Sequence, residues 1–249
     1  MTWIGHASFL ASFNSTHFLI DPVFSHKIAK ILPRRCPPGL RIHQLPPLAA
    51  VLVSHCHYDH LDRPSIRSLP QEVPVVTPLG VGALMRGWGR SRIVELDWWE
   101  SVEFDCARVT LVPSRHWSRR GLRDINDTLW GGFVIETEQG AVYHAGDSGW
   151  FDGFETIGER FPGLLAAMLP LGAYDPAWFM EKHHLNPEQA GAAFLASGAH
   201  RLVPMHWGTF HLTDEPLIEP LQRMRHWWDE RRPAGKRLSC MAVGETIRA

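Results

Sequence analysis

Ser54-His55-Cys56-His57-Tyr58-Asp59-His60 places three histidines and an aspartate within six residues. The apolar run Ala49-Ala50-Val51-Leu52-Val53 precedes it and has the β-branched content of a buried strand. Leu61-Asp62-Arg63-Pro64 follows it. There Asp62 can cap a helix, and Pro64 falls in the first turn, where its missing N–H costs nothing. Four metal-capable side chains therefore stand where a core strand gives way to a loop, the position that active sites of α/β sheets favour. In extended backbone, side chains at i, i+2 and i+4 point to one side. His55, His57 and Asp59 are accordingly expected to converge, with Cys56 and Tyr58 facing away and His60 reaching a neighbouring point from the turn. This donor set suits zinc, with iron or manganese also accommodated. A lone histidine would read as an ordinary core or surface residue; this density does not.

Working outward, further predicted strands end in residues of the same type. The β-rich run 107–113 leads to His116. A hairpin, 130–137 and 140–144, ends in Ala145-Gly146-Asp147, where small neighbours let the backbone come close to an ion. The run 201–205 delivers His206-Trp207-Gly208. His55, His57 and His116 can hold one ion, and Asp59, His60 and His206 a second, with Asp147 bridging them. A water shared by two divalent ions loses its proton near neutral pH and becomes a nucleophile. Asp59 and Asp147 thus carry catalysis through the ions, no serine or cysteine nucleophile is required, and Cys56 is a bystander. Asp21, at the end of the run 17–20, is placed to orient a ligand histidine, although a plain turn aspartate before Pro22 reads equally well.

The remaining chain is ordinary for one globular unit. It has 249 residues, 45% hydrophobic and 20% charged. A formal net charge of −1 without a long basic block argues against a nucleic-acid partner. Its 15 histidines hint at metal chemistry, and its 11 tryptophans are read chiefly as core. Cys36, Cys56, Cys106 and Cys240 are scattered, no signal peptide opens the chain, and no apolar run has the length of a membrane span. The expected setting is cytoplasmic, without disulfides. Residues 25–47 are expected to form a long surface loop, in which Arg34 and Arg35 read first as solvated charge and second as contacts for an anionic substrate. Helices are predicted over 63–69, 81–86, 154–161, 187–197 and 217–229, with a closing strand over 238–243. Asn186-Pro187-Glu188-Gln189 has the form of a capping box.

H-x-H-x-D-H, a later histidine, a Gly-Asp pair and a final histidine on alternating strands resemble the metallo-β-lactamase fold. Within that fold the chain resembles the N-acylphosphatidylethanolamine-hydrolysing phospholipase D family and its bacterial relatives. The stretches that carry this resemblance are Thr2-Trp3-Ile4-Gly5-His6-Ala7, residues 54–62, Glu95-Leu96-Asp97-Trp98-Trp99-Glu100, Ala145-Gly146-Asp147, Leu171-Gly172-Ala173-Tyr174 with Trp178-Phe179-Met180, and His206-Trp207-Gly208-Thr209-Phe210. The resemblance implies an α/β (α+β) fold, a four-layer αββα sandwich spanning 1–249 as one domain. It also implies a dizinc site, cleavage of a phosphodiester on the head-group side of a phospholipid, and His184 near the substrate as a catalytic residue. Contact with membranes would be peripheral and reversible, and a homodimer is left open. Relatives carry an opening strand ahead of the Thr2–Ala7 stretch, so the expectation is that either the start is truncated or that first strand is missing. Two rival readings stand beside this one. A lactone or other ester hydrolase would use the same site, and a non-catalytic metal-binding protein would be expected to have lost a ligand. A nuclease of the same superfamily is disfavoured by the balanced charge.

Overall fold

A computed structural model describes residues 1–248. Strands β1 (Thr2–Gly5), β2 (Ser8–Phe13) and β3 (Thr16–Ile20) form an antiparallel meander. A small ribbon of β4 (Lys27–Ile28) and β5 (Leu32–Pro33) follows. Strands β6 (Ala50–Leu52), β7 (Val75–Pro78) and β8 (Ile93–Leu96) then add in parallel to β3, with helices α1 (Arg63–Ser68) and α2 (Val81–Arg86) in the crossovers. The second sheet repeats the scheme. Strands β9 (Ser101–Phe104), β10 (Ala107–Val112), β11 (Gly132–Thr137) and β12 (Gly140–His144) form the meander, and helix α3 (Gly153–Arg160) leads to β13 (Ala166–Pro170). Helices α4 (Ala177–Met180) and α5 (Pro187–Ala196) precede β14 (Arg201–Met205), and α6 (Glu219–Arg231) precedes the short β15 (Arg237–Leu238). Each sheet is thus a meander followed by three parallel strands. This is a topological repeat that has no counterpart in the residue pattern.

Period-two alternation separates the layers. Phe18, Ile20, Ala50, Leu52 and Val76 face the second sheet, where they meet Val109, Leu111 and Ile135. Their neighbours Leu19, Val51, Val53 and Val75 face outward and pack with Ile66, Leu69, Val81 and Met85 of the first helical layer. Helices α3, α5 and α6 cover the far side of the second sheet, with Trp227 of α6 lying against Gly191 of α5. Mixed sheets between helical layers give the fold class that the resemblance implied.

Local chemistry sets the helix starts as the sequence predicts. The Asp62 carboxylate accepts from Ser65 N–H at the start of α1, and Asn186 and Gln189 close a reciprocal capping box on α5. Thr2–Gly5 is a strand that the sequence did not single out, too short and glycine-ended for its pattern to show. Two expectations need correction. The closing strand is only Arg237–Leu238, because parallel pairing with β14 stops after two residues. The 25–47 stretch is not featureless, since it holds the β4–β5 ribbon and a 3-10 turn at Ile42–Gln44. In it Arg34 lies half-buried over the Phe210 ring and donates to the Val23 carbonyl. The four cysteines are unpaired. Among the described residues, no helix is long and apolar enough to cross a membrane.

Candidate metal centre

The backbone leaves the strand conformation after β6, and the loop that follows is a turn rather than an extended ribbon. His60 and Leu61 both donate their N–H to the His57 carbonyl, at 3.2 and 2.8 Å. Hence His55, His57 and Asp59 do not share one side as alternation predicted. The turn splits the loop, sending His55 and His57 to one group of donors and Asp59 with His60 to another. Cys56 lies in the apolar layer beneath α1, and Tyr58 lies under the Arg120 guanidinium, 4.1 Å from it. Arg120 also donates to the carbonyls of Cys56 and Leu61 at 2.6 and 2.8 Å. That clamps the turn from the segment that follows His116.

The first group joins His55, His57 and His116 with Asp147. His57 Nδ1 lies 2.9 Å from His55 Nε2 and 3.1 Å from His116 Nε2. The second group joins Asp59, His60 and His206 with a residue not assigned from the sequence, His6. Asp147 faces both groups. Its Oδ1 is 3.3 Å from His60 Nε2 and 3.2 Å from His206 Nε2, and its Oδ2 is 3.9 and 3.8 Å from His55 and His116. His184, buried beyond the end of α4, brings Nδ1 to 3.9 Å from Asp147 Oδ2. All eight residues proposed from the sequence therefore meet at one place. His6 was missed although it meets the criterion used for the others, a metal-type residue at a strand end.

The surroundings fix the ligand tautomers. Asp21 accepts from Ser54 N–H (2.7 Å), Ser54 Oγ (2.6 Å) and His60 Nδ1 (2.7 Å). His55 Nδ1 donates to Ser54 Oγ at 3.0 Å and His116 Nδ1 to the His183 carbonyl at 2.9 Å. Protons assigned to Nδ1 in all three rings leave the Nε2 lone pairs pointing at the centre. His144 spans the seam between the sheets, donating to the Ala7 carbonyl and accepting from Gly146 N–H. Gly146 sits at φ +60°, and a Cβ there would come within 2.6 Å of the Gly131 carbonyl and 2.9 Å of Ser54. Only glycine lets the Asp147 loop approach the metal loop this closely.

This donor set fits divalent ions. Ring nitrogens of His55 and His116 converge on His57 Nδ1 at 2.9 and 3.1 Å, spacings that approach those of nitrogens around one zinc ion. His57 Nε2, His60 Nε2, Asp147 Oδ1 and His184 Nδ1 are buried without hydrogen-bond partners, a costly condition that coordination relieves for the atoms facing the centre. The carboxylates call for positive charge. Burial opposes charge on His206, yet Asp147 and Asp59 raise it to about 9. Burial, aided by the neighbouring His206 and opposed by Asp59, pulls His6 down to about 3, and burial is the largest influence holding His184 at about 4.

These shifts set an expected pH profile for chelator-treated protein. His6 and His184 are neutral in the fold but charge near 6.5 when unfolded, so their contribution is lost as pH falls from about 6.5 towards 4. His206 is raised, so its contribution is full below about 6.5 and is lost as pH climbs through about 9. Thermal melts of metal-free protein should therefore peak near pH 6.5. A melting temperature that kept rising from pH 7 to 9 would show that His206 carries no proton in the fold.

Fold and donor set together define a β-lactamase-fold domain with a candidate metal centre. The chain belongs to the family described as Beta-lactamase superfamily domain, which matches residues 16–207. Its relatives include the N-acyl-phosphatidylethanolamine-hydrolyzing phospholipase D 1 of Caenorhabditis elegans, 34% identical over 248 residues that cover 92% of this chain and 70% of that enzyme. An uncharacterized protein of Mycobacterium tuberculosis is 40% identical over 235 residues, 90% of this chain. The chain spans 62% of that relative's length. The isothiocyanate hydrolase from Delia radicum gut bacteria superposes with a TM-score of 0.80 over 100% of this chain and 98% of its own; at 20% identity this likeness concerns the fold alone.

Proposed function

We propose that this chain hydrolyses a phosphodiester bond in an amphiphilic substrate, in the manner of a phospholipase D, with two zinc ions at the centre. N-acylphosphatidylethanolamine or a related lipid is the proposed substrate, giving phosphatidic acid and an N-acylethanolamine. The observation that carries the two-ion reading is the two-sided placement of Asp147, with one oxygen turned to each donor group. Support for the lipid comes from the 34% identity to the C. elegans enzyme over most of both chains. Bound ions would supply a nucleophile from water near neutral pH and polarise the attacked oxygen. His55, His57 and His116 would hold one ion and Asp59, His60 and His206 the other. His184, kept neutral by burial, would serve the substrate as a hydrogen-bonding group rather than as a fixed charge.

One observation favours the second reading, hydrolysis of a lactone or other small ester. The cavity that reaches His184, about 210 Å³, is polar, lined by Tyr174, Asp175, Glu181, Glu219 and Arg223 among others. A lipid would then have to leave its chains at the rim, where Trp178 and Phe179 are 79% and 58% exposed. Liposomes carrying head-group-labelled phospholipids, assayed beside a lactone panel with and without chelator, separate the two. The expected result is chelator-sensitive head-group release. Release that survived complete metal removal would refute the mechanism, and fast lactone opening without release would establish the second reading.

A further inference from the structure

His6 stands in the second donor group with Asp59, His60 and His206, yet neither ligand set proposed above uses it. Its Nε2 is 2.9 Å from Asp59 Oδ2, and its ring centroid is 3.9 Å from that of His206. Its Nδ1 is buried without a partner, so the ring proton belongs on Nε2, where an acceptor stands. The backbone at His6 is left-handed, φ 55°, which is uncommon for a residue other than glycine. It is held there from three sides. His6 N–H donates to Thr209 Oγ1 at 2.8 Å. The His6 carbonyl accepts from Trp3 Nε1 at 2.8 Å and from His206 N–H at 3.1 Å. His206 is itself at φ 62°. Two strained histidines, one from each sheet, are thus locked back to back. A strained backbone kept in place by its neighbours points to a side chain that is needed there.

That need follows from the chemistry of Asp59. Three imidazole nitrogens approach its Oδ2: His6 at 2.9 Å, His206 at 3.3 Å and His60 at 3.6 Å. If His60 and His206 turn their Nε2 lone pairs to an ion, neither can donate to Asp59. His6 is then the one ring in the group with an N–H to offer. Asp59 sits on a turn, not on a strand, so nothing in the sheet fixes its carboxylate angle.

We propose that His6 is a positioning residue for the second ion: its Nε2–H orients Asp59 by holding Oδ2, while its backbone carbonyl fixes His206, so that one residue of the first sheet sets two ligands of that subsite. The inference rests on the two-ion reading above. Partners of this kind, behind a metal ligand, contribute about 10–100-fold in metal affinity.

The test is zinc stoichiometry and affinity by chelator competition, on wild type, His6→Asn and His6→Gln. Asparagine tolerates the left-handed backbone but its amide stops short of Asp59; glutamine extends an N–H to the reach of Nε2. Wild type should bind two ions. His6→Asn should bind the first ion as wild type does and the second about tenfold or more weakly, and His6→Gln should recover most of that loss. Circular dichroism and thermal melts establish that each variant is folded. Two ions bound by folded His6→Asn as tightly as by wild type would overturn the role of His6 while leaving the two-ion reading intact. Equal weakening in the Asn and Gln variants would also overturn it, since the N–H would then not be what matters. Fewer than two ions in wild type would overturn both.

Discussion

Asp147→Ala should lower turnover by at least about a thousandfold while leaving the protein folded. The carboxylate has its two oxygens 3.2–3.9 Å from ring nitrogens of both donor groups, so its loss disturbs two ions at once. It also removes the negative charge that draws cations to the centre. The fold should survive because Asp147 holds no sheet together; the loop is held by Ala145 N–H on the Met168 carbonyl, Gly146 N–H on His144 and Gly149 N–H on the Arg115 carbonyl. Cys56→Ala is the matched control. Its side chain lies only two residues from Tyr58 and one from His55, yet it points into the layer under α1. That substitution should cost about 1 kcal/mol of stability, as modest core truncations do, and leave activity within a few-fold of wild type. Equal losses in the two variants would mean that the metal loop is turned the other way.

Removing metal should lower the melting temperature by roughly 10 °C. A ligand present at a thousand times its dissociation constant stabilises the native state by about 4 kcal/mol, and about 1 kcal/mol moves the midpoint by 2–4 °C at this chain length. The argument is structural as well as thermodynamic. The first sheet supplies His55, His57, Asp59 and His60 after β6, and the second supplies His116, Asp147 and His206 after β10, β12 and β14. An ion held by both cross-links them. Zinc added back should restore the midpoint, and magnesium, which prefers oxygen ligands, should not. An unchanged midpoint after verified metal removal would show that the donors hold no ion under assay conditions.

The sequence was most legible where several residues shared one rule. His55, His57, His116, Asp147 and His206 could be found because each follows a short apolar run, and such runs become adjacent strand ends. Caps were readable for the same local reason: Asp62 and Asn186 need only the next three residues to act. The internal arrangement of the metal loop was not readable. Whether residues 55–60 run extended or fold into a turn depends on Arg120, sixty residues away, pulling on the Cys56 and Leu61 carbonyls. His6 escaped for a related reason. Its partners Asp59, His206 and Thr209 come from the opposite sheet or from a distant loop, and no window of sequence around Gly5 contains them. The doubled topology escaped as well, since hydrogen-bond pattern repeats between the sheets while side chains do not.

The donors all issue from short, pinned turns, while the rim is made by other chain. The segment between His116 and β11 and the segment from Leu171 to His184 carry the exposed Leu122, Ile125, Trp178 and Phe179. Apart from Arg120 and the His183 carbonyl, these rim segments do not hold the ligands in place. Apart from His184, the donors and the rim are therefore written in separate stretches of chain. A lineage could rewrite its rim by insertion, deletion or drift and inherit the reactive centre unchanged.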